Sequence, residues 1–289
     1  MIRHFREALT QRQREIDSLV CVGLDPLKGK VPIRFQEETE QGWISVLLWM
    51  MRVVDETAPF ACMFKPQYAY WSKIDGGLQA LQALVAYIHL KHPAIPVFLD
   101  CKNGDIDRTQ EQYAETHFNL ERVDGMNYNG YMGKSTLKAL VHPNHLGRAL
   151  VGLGRTSNPD AWEVQDRILY DGRCVWEAAV MDILNWSIEL KIVENAGVVM
   201  GAAHKDPADE NGIYSDHLWK ARRMVDDQLW FLIPGIGTQG GFVEETIRAS
   251  FMGPGSIAIN SSSGIIFAES PAGAAEQLRD QIRSTGGSC

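Results

Sequence analysis

The feature that most constrains this chain is a rhythm. Eight short apolar runs, rich in β-branched or aromatic residues, recur at residues 19–25, 60–65, 96–102, 123–127, 148–154, 197–202, 229–234 and 256–260. Longer segments with helical periodicity separate them, among them 43–55, 78–90, 106–118, 175–194 and 242–250. A strand followed by a helix, repeated, is the pattern of βα units, because a parallel strand can be reached only by a crossover that packs back on the sheet. Eight repeats favour a closed (β/α)8 barrel (TIM barrel) over an open sheet, and 289 residues suit one such barrel, which takes about 250. The expected organisation is therefore a single α/β barrel domain over residues 1–289. A helix is expected before the first strand, an exposed acidic loop at 36–41 and a frayed tail from Thr285.

Composition narrows the partners. A formal charge of -8 and a pI near 5.5 argue against a nucleic-acid or anionic-membrane binder, since either needs a basic face. No N-terminal apolar core of signal-peptide length and no uninterrupted apolar stretch of about 18 residues is present, so the chain reads as cytoplasmic. Cysteines 21, 62, 101, 174 and 289 are odd in number and widely spaced, which indicates neither a disulfide framework nor a zinc site. His142 and His145 flank Pro143 and Asn144 in what reads as a surface turn, a weak basis for metal binding. No metal and no cofactor is expected.

In a barrel enzyme the chemistry gathers at the carboxyl ends of the strands. Polar residues gather there: Asp25 ends the first run, Lys65 the second, Asp100 and Lys102 the third, and Asn127 the fourth. Thr156 and Ser157 follow the fifth, Gln239 the seventh, and residues 260–263 close the eighth. In the third run the alternation of a strand puts Asp100 and Lys102 on one side and Cys101 on the other, toward the helix layer. Asp105 follows in the turn, where an acid also suits a helix cap. Taken alone, these residues are explained as well by a helix cap plus an ordinary surface salt bridge as by catalysis. Lys65 shifts the balance, because a lysine ending an apolar strand must snorkel or meet a carboxylate, and Asp100 is on the neighbouring strand.

Residues 234–241, Pro-Gly-Ile-Gly-Thr-Gln-Gly-Gly, lie between the seventh strand and a helix. Their glycines let backbone N–H groups approach a phosphate, with a helix N-terminus behind them. Gly235, Gly237 and Gly240 also fit the dinucleotide pattern G-x-G-x-x-G, but the acid expected after the next strand is missing; Asn260 stands there.

Six segments together resemble orotidine 5′-phosphate decarboxylase, in particular the longer-chain branch of that family. They are Val22-Gly-Leu-Asp-Pro26, Phe64-Lys-Pro-Gln67, Asp100-x-Lys102-x-x-Asp105-Ile106-x-x-Thr109, Arg155-Thr-Ser-Asn-Pro159, Pro234-Gly-Ile-Gly-x-Gln-Gly-Gly241 and Asn260-Ser-Ser-x-Gly264. The resemblance spans roughly residues 19–268. It implies decarboxylation of orotidine 5′-phosphate to UMP, a step of pyrimidine biosynthesis, without metal or cofactor. It implies that Lys65, Asp100, Lys102 and Asp105 form the charged catalytic array, and that Asp105, Ile106 and Thr109 reach the site of a partner subunit in a homodimer. Asp25 corresponds to the residue that bonds the ribose hydroxyls and Ser157 to a pyrimidine contact. Gln239 corresponds to a side chain closing over phosphate and base, with Pro234, Gly240, Ser263 and Gly264 completing the phosphate end. Two departures stand out. Ser263 replaces the arginine usual before the glycine of the eighth loop, which puts phosphate affinity in question, and Gly130 and Ser135 stand where related proteins have proline and aspartate.

Decarboxylation leaves an electron pair on a ring carbon, and Lys102 is the candidate to stabilise it electrostatically and then protonate it. Two rivals remain open at this point. One is a Mg²⁺-dependent barrel of the hexulose-phosphate synthase type, which shares a similar Asp-x-Lys-x-x-Asp strand; the other is a nucleotide-binding protein without catalysis.

Overall fold

The computed structural model describes residues 4–36, 42–205, 212–236 and 241–289. Ten strands occur among them: β1 (Val20–Leu24), β2 (Met63–Pro66), β3 (Phe98–Asn103), β4 (Gly125–Tyr128), β5 (Ala149–Leu153), β6 (Ala196–Val199), β7 (His204–Lys205), β8 (Ile213–Tyr214), β9 (Trp230–Ile233) and β10 (Ile257–Ser261). Eight of them pair in parallel in the order β2-β1-β10-β9-β6-β5-β4-β3. Bridges Phe64 to Val97 and Gln67 to Asp100 join β2 to β3 and close the ring. All eight expected strands are present and form the (β/α)8 barrel.

Alternation along the strands divides the core in two. Inward residues Cys21, Met63, Phe98, Ala149, Val151, Val199, Trp230, Leu232 and Ala258 fill the barrel interior. The first helix (Phe5–Ile16) inserts Phe5 and Leu9 into its floor. There the Phe5 ring stacks on Trp230 at 5.4 Å, and Phe98 meets both rings edge-on at 6.0 and 5.8 Å. Room for the Trp230 indole comes from Gly197, where a Cβ would lie 2.7 Å from its ring nitrogen. Outward residues such as Val20, Val22, Leu24, Phe64 and Leu99 share a second apolar layer with the helices Gly42–Thr57 and Gly77–Lys91. The floor is thus packed with aromatic side chains, and open space is left at the carboxyl ends.

Some boundaries differ from expectation. The helix expected at 106–118 runs as α-helix from Asp107 to Ala114 and then loosens into a π-turn, Glu115–Leu120. The helix expected over 175–194 stops at Glu189, because Lys191 takes a left-handed conformation (φ 59°) and a short 3-10 turn, Val193–Asn195, follows. The antiparallel pair β7–β8 and the helices Asp216–Val225 and Pro271–Ser284 were not anticipated. The tail expected to fray is docked: Cys289 N–H donates to the Asp17 carboxylate (2.7 Å), a partner 272 residues away that no local signal announces. Residues 37–41 of the expected acidic loop lie outside the described residues. Among the described residues no helix is long and apolar enough to cross a membrane.

Candidate active site

A cleft of about 570 Å³ opens at the carboxyl ends of the barrel strands. Asp25, Lys65, Asp100, Lys102, Ser157, Pro234 and Ser263 all line it. At its centre the Asp100 carboxylate accepts from three groups: Lys65 Nζ at 3.0 Å, Asn127 Nδ2 at 2.7 Å, and Lys102 Nζ. Phe98 and Asp100 therefore follow the alternation of β3 upward, from the aromatic floor to the mouth, and Lys102 joins them there. Cys101 points the opposite way and packs with the outer layer, its thiol donating to Asn127 O at 3.2 Å.

The end of β3 is not a regular strand. The pairing register with β4 shifts between Leu99 and Asn103, and Lys102 holds φ 50°. Such a bulge re-aims a side chain, and a left-handed non-glycine residue costs roughly 1–2 kcal/mol. Asn127 offsets the cost: its Oδ1 accepts from both Cys101 N (2.9 Å) and Lys102 N (2.7 Å). One asparagine thus fixes the backbone beneath Lys102 and, through Nδ2, the carboxylate beside it.

The electrostatics follow from burial and pairing. Burial alone pushes Asp100 up, but the Lys65 and Lys102 ammonium groups outweigh it and hold the carboxyl well below the usual carboxylate range. Burial alone pulls Lys65 down, yet Asp100 and then Asp25 outweigh it and raise the ammonium above the ordinary lysine range. Asp25, whose carboxylate accepts from Gln67 N at 3.1 Å, is pushed up by burial that Lys65 offsets only in part. The Lys65 side chain is only 3% exposed and that of Lys102 42%, so the first is a fixed internal charge and the second reaches solvent in the cleft.

The remaining expected residues fall into three groups. Asp105, Ile106 and Thr109 do not line the cleft of their own chain: Asp105 accepts from Ile106 N at 2.8 Å, Ile106 is 44% exposed and Thr109 is exposed. Pro234 and Gly235 begin the glycine-rich segment after β9, where Gly235 at φ 104° favours glycine, and Gly241 N–H donates to Gly235 O at 3.1 Å. Gly237, Gln239 and Gly240 lie outside the described residues. Ser263 opens the short helix Ser263–Ile266 with Gly264, which is exposed. The neighbouring Ser262 comes so close to β1 that a Cβ on Gly23 would lie 1.9 Å from its Oγ.

Sequence reading missed several lining residues: Leu27, Tyr70, Gln165 and Phe267. Gln165 clasps Thr156 twice, accepting from its N–H (2.8 Å) and donating to its hydroxyl (2.7 Å), across a loop with no motif to flag it. A larger cleft of about 1090 Å³ shares Ser157, Asn158 and Gly235 with the first. Its charges are largely spent on one another, Arg155 gripping Asp166 with two bonds (2.9 and 2.8 Å) and Lys220 pairing with Glu177. The convergent array belongs to the smaller cleft.

The chain is similar to known proteins over nearly its whole length. The chain is 33% identical to an orotidine 5′-phosphate decarboxylase of Azoarcus sp. (strain BH72) over 290 residues, covering 97% of this chain and 99% of that protein. It is 35% identical to the enzyme of the same name from Ralstonia nicotianae (strain ATCC BAA-1114 / GMI1000), covering 96% and 97%. The structure of Leishmania donovani OMP decarboxylase superposes with a TM-score of 0.78 at 27% identity, covering 98% of each chain. Residues 18–278 match the family described as orotidine 5′-phosphate decarboxylase / HUMPS, and the chain belongs to that family.

Proposed function

We propose that this chain decarboxylates orotidine 5′-phosphate to UMP without metal or cofactor. The observation that carries the reading is the Lys65–Asp100–Lys102 array, seated with Asn127 at the mouth of a barrel whose relatives bear that activity by name. The substrate carboxylate would lie against Asp100, and as the carbon–carbon bond breaks it would depart as neutral carbon dioxide, moving the negative charge out of that crowded neighbourhood and onto the ring carbon. Whatever part of the barrier such repulsion removes, the electron pair left on the ring carbon needs a cation beside it, and Lys102 offers one. Its exposed ammonium then gives up a proton to that carbon, completing the product. Lys65 keeps Asp100 ionised and oriented throughout.

At the other end of the substrate, the loop from Pro234 to Gly241 and the start of the helix at Ser263 and Gly264 would hold the phosphate, with Gln239 and Gly240 closing over it. Asp25 would take the ribose hydroxyls and Ser157 the pyrimidine. Binding energy from the phosphate positions the ring for reaction. A homodimer with shared sites fits the placement of Asp105, Ile106 and Thr109 away from their own cleft. The turn Gly130–Met132, next to Gly104 through Asn129, adds exposed Tyr131 and Met132 to the same side.

The family's description also includes HUMPS proteins. Incubating purified protein with orotidine 5′-phosphate and a chelator, and following the loss of nucleotide absorbance, separates the readings. Undiminished turnover supports the cofactor-free decarboxylase; turnover that the chelator abolishes points to a metal-dependent reaction, and no turnover with or without Mg²⁺ removes the proposal.

A further inference from the structure

Beneath the segment that links Lys102 to Asp105 lies a buried polar relay that the mechanism above does not use. The His117 and Glu121 side chains are each only 1% exposed. His117 Nδ1 and Glu121 Oε2 are 2.8 Å apart, and His117 Nε2 lies 2.9 Å from Asn103 Nδ2. A carboxylate accepts only, so the imidazole donates from Nδ1 to Glu121 and accepts at Nε2 from the Asn103 amide. The rings of Tyr68, edge-on at 5.3 Å, and Tyr113, parallel at 6.2 Å, enclose the imidazole.

His117 belongs to the π-turn and Glu121 follows directly at its end, where Glu121 N–H reaches back to Thr116 O (2.9 Å) and Val123 N–H to His117 O (3.0 Å). π-turns of this kind recur at functional sites. Burying a carboxylate is costly even when an imidazole N–H bonds it, so the relay's contribution is to be sought in what it holds. It holds Asn103, the residue at which β3 rejoins β4 after the bulge, with Asn103 O accepting from Asn129 N at 2.8 Å. On one side of Asn103 stands Lys102 in its left-handed conformation; on the other, Gly104 leads to Asp105. Asn127 secures Lys102 from the strand side, and the relay secures it from the helix side.

We propose that His117, oriented by Glu121, is a positioning residue for decarboxylation: it locks Asn103 and thereby holds the Lys102–Asp105 segment in its reactive shape. The inference rests on the decarboxylase reading. Released from this anchor, the segment relaxes toward an ordinary strand conformation and carries the Lys102 ammonium off the reacting carbon, which affects the transition state more than substrate binding.

The test uses three variants of the full chain. Asn103→Ala cuts the relay at its half-buried end. His117→Phe/Glu121→Leu replaces the buried pair by apolar side chains of similar size, an exchange that buried pairs often tolerate. Glu121→Gln keeps an acceptor for Nδ1. In the first two, kcat should fall about 10- to 100-fold with KM within about twofold and the melting temperature close to wild type, while Glu121→Gln stays within about threefold of wild-type kcat. Amide hydrogen exchange at residues 103–107 should quicken in the first two variants and not in the third, with the β5 and β6 ends unchanged. Wild-type kcat in the double variant overturns the proposal, as does a loss of kcat that tracks loss of melting temperature across all three. If wild-type protein fails to turn over orotidine 5′-phosphate, the functional reading falls instead; the exchange measurement then decides the inference alone, and unaltered exchange overturns it.

Discussion

Replacing Asp100 by asparagine isolates the electrostatics of the barrel mouth. The substitution keeps shape but removes the charge that faces Lys65 Nζ at 3.0 Å, and the Lys65 side chain is 3% exposed. At an effective dielectric of about 20, that separation corresponds to roughly 5 kcal/mol of attraction, and removing one partner of a buried pair typically costs about 3–5 kcal/mol. Lys102, whose side chain is 42% exposed, adds little to this sum because solvent screens it. For a chain of this size the loss corresponds to roughly 10 °C in melting temperature at pH 7. The pH dependence supplies a second check. In wild type the carboxyl of Asp100 is held below its unfolded value, so its contribution is present above about pH 4 and is lost as pH falls through the folded value. Lys65 is raised, so its contribution is present below its unfolded value of about 10.4 and is lost only as pH rises through the folded value. In Asp100→Asn only Asp25 is left to offset the burial of Lys65, its folded value falls, and the penalty should shrink as pH rises from 7 toward 10. Calorimetric melts of both proteins from pH 5 to 10 read this directly. A melting temperature within about 2 °C of wild type at pH 7, or a difference that does not change with pH, would refute the argument that the pair is desolvated and mutually dependent.

Two further outcomes concern the proposed dimer and the proposed phosphate contact. Inactive Asp105→Ala mixed with inactive Lys102→Ala should regain activity, because a heterodimer can assemble one site free of both lesions; subunits shown to exchange with no recovery would disprove shared sites. Ser263→Arg should lower KM for orotidine 5′-phosphate by about tenfold, an energy of about 1.4 kcal/mol, with much less effect on orotidine lacking the phosphate, since a guanidinium adds a charge-assisted grip on that group alone. Equal effects on both substrates in steady-state kinetics would mean that Ser263 does not face the phosphate.

The barrel was legible because its signal is periodic: each strand is a short apolar run, and eight such runs in one chain leave few other folds. The site was legible where alternation decides it, as for Asp100 and Lys102 on one face with Cys101 on the other. Legibility ended where contacts are long-range. Nothing local marks Gln165 as the clasp on Thr156, Asp17 as the anchor for Cys289, or Asn127 as the support for the bulge at Lys102. His117 and Glu121 sit four residues apart, a spacing that reads as an ordinary exposed helix pair, yet both are buried, His117 within a π-turn and against two tyrosine rings. The helix Asp216–Val225 escaped notice although its buried Arg222 donates to the carbonyls of Asp226, Leu229, Ser250 and Ser256, because a charged residue interrupts the apolar stripe that reveals a core-facing helix.

The claim on which the rest depends is that Lys102 supplies both the stabilising charge and the proton. Turnover of orotidine 5′-phosphate by Lys102→Ala, measured against wild type at the same pH, tests it most directly. The account predicts a fall in kcat of about four orders of magnitude or more, since two catalytic contributions vanish with one side chain. Turnover within about tenfold of wild type would contradict it and would place the chemistry on another group.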